Sequence, residues 1–190
     1  MNFTKYVPNS QIKKLKYTYR NSQELIDIST KFVMKNKSQI KKKLLSHKHL
    51  DKPIEFIYYI NPYIVFKKLY NKLKKENNNL LILGRNNFDI NKFSKEEIKE
   101  FMSVHSSKGL EAENVILINL TDGLYGFPNK IINSKLIEEL HPSDKTYLCA
   151  EERRLFYVAL TRTRNKVYIL VPFFNKSIFI KELKKIMHFK

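Results

Sequence analysis

The sequence predicts an α/β domain, a mostly parallel sheet with helices on both faces. The strand-like segments are short apolar runs, such as LLIL at 80–83 and NVILINL at 114–120, without polar/apolar alternation. Strands covered on both faces read this way. These runs alternate with helical segments along the chain, the order that βαβ units require. The 190 residues are 43% hydrophobic and 13% aromatic, enough to build one ordinary core.

Leu15–Arg20 reads as a short strand. Ser22–Asn36 reads as a helix, because Leu25, Ile28, Ser29 and Phe32 fall at helical spacing and Asn21 or Ser22 can cap it. Ile54–Ile60 is β-branched and aromatic, hence strand, and Pro62 then suits the first turn of a helix running to about Lys75. Leu80–Leu83 and Phe101–His105 read as strands, with a polar helix near Ser94–Glu100 between them. Asn114–Leu120 is the clearest buried strand, and a helix is expected over Asn133–Leu140. Glu151–Thr163 reads as helix, Lys166–Val171 as strand and Ile178–Met187 as a closing amphipathic helix.

Composition excludes several classes of function. No run of about 18 apolar residues exists to span a membrane. The N-terminus MNFTKYVPNS lacks the apolar core of a secretory signal. Cys149 is the single cysteine, so an internal disulfide and a cysteine-rich metal site are ruled out, and a cytoplasmic location is expected. His47, His49, His141 and His188 are scattered without ligand spacing, so no metal site is expected. No Ser/His/Asp or Cys/His arrangement stands out either. The formal net charge of +18, from 36 Lys+Arg against 18 Asp+Glu, fits a polyanionic partner. It fits equally the Lys-, Asn- and Ile-rich composition of an A/T-rich genome.

The four glycines, Gly84, Gly109, Gly123 and Gly126, form no G-x-x-x-x-G-K-[ST] cradle. Asp122 follows an apolar strand and imitates a Mg²⁺-binding acid, but without the cradle the chain holds no complete nucleotide site. Ligands of parallel sheets sit at the C-terminal ends of the strands. Four segments expected there are polar: TYRNSQ with Arg20, GRNN with Arg85 to Asn87, HSSKGLE from His105 to Glu111, and TDGLYGF. A parallel sheet is expected to bring them to one edge, where arginines, amides and hydroxyls suit phosphate and sugar. HSSKGLE reads as a strand-to-helix turn, either a phosphate cradle of backbone N–H groups or a helix cap.

The 151–163 helix carries six consecutive apolar residues, Leu155 to Leu160, and Arg162 continues its apolar stripe. A buried arginine needs an anion, here either a ligand or a carboxylate such as Glu151 or Glu152. Arg153 and Arg164, on another face, are expected in surface pairs.

VHSSKGLEAENVILINLTDGLYGF resembles motif V of UvrD/Rep-type superfamily 1A DNA helicases, and EERRLFYVALTRTRNKVYIL resembles their motif VI. TYRNSQELIDIS and LILGRNN are similar to motifs IV and IVa, and the details lie nearest the helicase IV branch. The resemblance implies the second, C-terminal RecA-like motor domain, a P-loop NTPase-like fold without its own P-loop, across residues 1–190. The first motor domain, which would bind most of ATP and Mg²⁺, is expected outside this chain. The resemblance further implies that Arg20 and Arg162 are arginine fingers and that Gly109 and Glu111 contact the nucleotide. It implies DNA contacts by Arg85, Asn87, His105, Ser106 and Lys108. The partners implied are single-stranded and duplex DNA and the N-terminal RecA-like domain. The alternative is a catalytically inert, helicase-derived module that binds DNA or another protein.

Overall fold

The structure is a computed structural model that describes residues 15–36, 39, 43–76, 79–131 and 149–188. Five strands form one sheet: β1 (Ile54–Tyr59), β2 (Leu80–Gly84), β3 (Phe101–Ser103), β4 (Ala112–Leu117) and β5 (Thr163–Pro172). Their order is β1-β5-β4-β2-β3 and every pairing is parallel. Among the described residues the α-helices are α1 (Gln23–Val33), α2 (Pro62–Lys75), α3 (Ala150–Leu160) and α4 (Ile178–His188).

Alternate residues of each central strand feed opposite cores, as the period of two requires. Val115 and Leu117 of β4 join Val167, Ile169 and the inner faces of α1, α3 and α4. Ile116 and the following Ile118 join Ile82, Leu170 and the Phe66–Leu69–Leu73 stripe of α2. The sheet is therefore covered on both faces, which explains why its strands read as unbroken apolar runs. On the three-helix side, Phe32, Phe127, Phe156 and Phe179 pack ring against ring with centroids 5.2–6.1 Å apart.

Three local expectations fail. Leu15–Arg20 is no sheet strand; it makes one bridge, Tyr17 to Leu45, outside the sheet. Ser94–Glu100 is not helical. The turn forms earlier, as a 3-10 helix over Asn87–Lys92, because Asn86 and Asp89 close a reciprocal capping box there. The α3 helix ends at Leu160, so Arg162 lies just beyond it. The helix expected over 133–140 lies outside the described residues.

Arg153 is no surface residue. It is buried, its guanidinium 4.5 Å from the Phe32 ring and 5.0 Å from the Phe179 ring, and it donates twice to Glu182 of α4. The apolar stripe of α3 left no sign of this, because the carboxylate that receives Arg153 comes from a helix distant in sequence.

Candidate functional site

The polar segments do not converge on one edge of the sheet; they divide between its two ends. Arg85, Asn87 and His105 follow the C-terminal ends of β2 and β3. Arg20, Glu111 and Arg162 gather at the N-terminal ends of β4 and β5. The reason lies in HSSKGLE. It is neither a strand-to-helix turn nor a helix cap, since no helix begins there. It is the crossover that leaves β3 at one end and enters β4 at the other. Ser107 is buried inside it, its hydroxyl donating to the Val104 carbonyl at 2.7 Å. Gly109 takes φ +87 in open space, a conformation that only glycine adopts readily.

At the N-terminal end, Arg20 is delivered by its neighbours. Ser22 caps α1 through its side chain. The buried Asn21 amide donates to the Thr163 carbonyl at 2.7 Å and so ties the segment to the start of β5. Arg20 Nε donates to Glu111 Oε2 at 2.5 Å, and Arg164 donates to the other oxygen of the same carboxylate. Arg164 thus makes the surface pair expected of it. Hydrogen bonds from Arg164, then Arg20, hold the Glu111 carboxyl below the usual carboxylate range.

Arg162 differs. Its Nε donates to the Val158 carbonyl at 3.2 Å and its Nη1 to the Leu110 carbonyl at 3.2 Å. Among the described residues it makes no ion pair, and neither Glu151 nor Glu152 takes it. Burial, then the nearby Arg20 charge, push its pKa below the ordinary arginine value, while Glu111 and Tyr157 pull the other way. This end therefore presents three guanidiniums: Arg20 and Arg164 share the Glu111 carboxylate, and Arg162 has no carboxylate of its own among the described residues.

At the C-terminal end, Arg85, expected as a DNA contact, is engaged within the fold. Arg85 is buried, and its Nε and Nη2 are taken up by Glu152 of α3 at 2.7–3.0 Å. Reaching a phosphate would first require leaving that carboxylate. Asn87, His105, Ser106 and Lys108 are exposed, with the Ser106 hydroxyl 3.0 Å from that of Ser103. Asp122 pairs with Lys130 at 2.6 Å.

Residues 94–172 match the UvrD-like helicase C-terminal domain. The chain is 32% identical over 177 residues to DNA helicase IV of Escherichia coli (strain K12), covering 89% of this chain and 26% of that protein. It is 39% identical over 80 residues to ATP-dependent DNA helicase Rep of Buchnera aphidicola subsp. Schizaphis graminum (strain Sg), covering 42% of this chain and 10% of that protein. This chain contains a UvrD-like helicase C-terminal domain. The fold is also that of the C-terminal domain of a possible DNA helicase from Lactobacillus plantarum WCFS1, at TM-score 0.53 and 13% identity over 87% of this chain and 94% of that one. The chain spans about a quarter of the length of helicase IV.

Sequence reasoning missed the network that shapes the C-terminal end of the sheet in this UvrD-like domain. Asp89, fully buried, accepts from the Asn86 backbone at 2.9 Å and from the Asn119 amide at 2.8 Å. Asn86 Nδ2 donates to the Tyr125 carbonyl at 3.0 Å, and the Asn129 backbone N–H donates to Glu152 at 2.9 Å. The available signal was GRNNFD itself, whose Asn-to-Asp spacing is that of a capping box.

Proposed function

We propose that this chain is the second motor domain of an ATP-dependent DNA helicase. It closes an ATP site whose other wall is an N-terminal RecA-like domain, and it carries part of a single-stranded DNA track. The observation that carries the reading is the state of Arg162: half-buried, bonded among the described residues to neutral carbonyls alone, and set beside Arg20. A desolvated guanidinium gains most from an anion brought to it. The donor set fits a polyphosphate, since two guanidiniums offer the forked geometry that phosphate oxygens accept.

ATP bound there would supply the transferring phosphoryl group. Arg162 and Arg20 stabilise the charge that develops on it, a role that is almost wholly electrostatic. Arg20 must leave Glu111 to do so, and Glu111, still held at Oε1 by Arg164, then has Oε2 placed to accept from a sugar hydroxyl, with Gly109 giving the backbone room to approach. Mg²⁺ is expected to be held chiefly by the partner domain. Among the described residues no group of three or more His, Cys, Asp or Glu forms that could hold a metal ion. Asn87, His105, Ser106 and Lys108 belong to the DNA track, with duplex DNA ahead of it, while Arg85 acts through the loop it braces.

The test is Arg162→Ala in a polypeptide that joins this domain to its N-terminal RecA-like partner. DNA-stimulated ATPase activity should fall about a thousandfold or more, with the melting temperature retained. The 190-residue chain alone should hydrolyse no ATP. An unchanged ATPase rate in Arg162→Ala, or DNA-dependent turnover by the chain alone, would refute the assignment. An inert binding module predicts no ATPase activity in either form.

A further inference from the structure

We propose that Phe88 and Tyr125 form a stacking platform for unpaired nucleobases at the C-terminal end of the sheet. The inference rests on the DNA-track reading above and gives it a base-contacting part. Phe88 comes from the 3-10 turn after β2 and Tyr125 from the loop after β4. Their rings meet edge to face with centroids 5.6 Å apart, yet they stay 47% and 54% exposed. Leu124, next to Tyr125, is 64% exposed. Two aromatic rings meeting in solvent, with an exposed leucine next in sequence, form an apolar feature of the kind that marks a binding surface.

The backbone beneath the rings is fixed. Asn86 joins the two loops by donating to the Tyr125 carbonyl at 3.0 Å and to Asp89 at 3.2 Å. The buried Asp89 in turn holds Asn119. Gly126 packs so tightly on the Thr121 carbonyl that no Cβ fits. Rings mounted on such a support lose little freedom when a partner arrives.

The chemistry around them selects the partner. Lys92 lies in the same turn as Phe88, and Lys130, paired with Asp122, follows Tyr125. The whole chain carries +18. Exposed aromatic rings with lysines on the same loops, bound to Asn119 and Asp122, suit a strand whose bases stack on rings while its phosphates draw on those cations. Bases inside a duplex are already stacked and offer no free face, so the fitting ligand is single-stranded.

The experiment measures binding of this chain to fluorescein-labelled oligo(dT) and to an abasic deoxyribose-phosphate strand of equal length, over a range of salt. Phe88→Ala and Tyr125→Ala should each weaken oligo(dT) binding by about tenfold. Neither should alter binding to the abasic strand or the dependence on salt. Phe88→Tyr and Tyr125→Phe, which keep the rings, should retain affinity. Because both side chains are exposed, the variants should melt as the parent does. Failure of the parent chain to bind oligo(dT) at low salt would overturn the DNA-track reading and the platform together. Parent binding with undiminished affinity in both alanine variants, or an equal loss on the abasic strand, would overturn the platform alone. A patch that serves a protein partner gives that same result.

Discussion

Arg85 and Glu152 supply the sharpest test of how this domain is built. The Arg85→Ala substitution leaves the Glu152 carboxylate, itself 5% exposed, with only the Asn129 backbone N–H among the partners described. Removing one member of a buried ion pair costs ~3–5 kcal/mol, because the other charge stays desolvated. At ~2–4 °C per kcal/mol for a domain of this size, the melting midpoint should fall by roughly 6–20 °C. Glu152→Ala should cost as much or more, since it also strips the Asn129 N–H. The paired change Arg85→Met with Glu152→Leu removes both charges and should recover part of the loss. A deficit of about 1–3 kcal/mol should remain from the unsatisfied Asn129 N–H. Differential scanning calorimetry of the four proteins compares these losses. If Arg85→Ala melts with the parent but binds oligo(dT) more weakly, Arg85 is a DNA contact and the brace is wrong.

Two further predictions concern stability. Gly84→Ala would place a Cβ 2.9 Å from the Asp89 Cβ and 3.1 Å from the Phe101 ring. It should cost ~1–3 kcal/mol by overpacking, read by urea denaturation, and a neutral outcome would mean that the Asp89 turn is not rigid. In acid, Glu24 adds a distinct loss. Burial tends to raise its pKa, but bonds from the Leu50 backbone and the His49 side chain outweigh this and bring it from 4.5 to about 2. A lowered folded pKa gives stability that is complete above 4.5 and drains away as pH falls towards 2. Thermal midpoints measured across that window should drop less steeply for Glu24→Gln than for the parent, and parallel curves would remove the assignment.

The sheet was legible in the sequence because burial on both faces writes an apolar run at each strand, wherever its neighbours come from. Pro62 likewise marked the start of α2, and Ser22 the cap of α1. The arginines were legible only as types. Arg162, read as part of an apolar stripe, sits past the end of α3 and is half-buried by the β4 entrance, a contact across some 50 residues of chain.

Local chemistry by itself determined the parallel α/β architecture, the absence of a phosphate cradle in the chain, and the residues able to meet an anion. Propensity, patterning and motif spacing are short-range properties. The tertiary structure alone decided which end of the sheet each group serves. The crossover from β3 to β4 carries Glu111 away from His105, Glu152 draws Arg85 inward, and Glu182 does the same for Arg153. The last two outcomes depend on a partner distant in sequence, and desolvation makes such a pairing compulsory once the fold has closed around the charge.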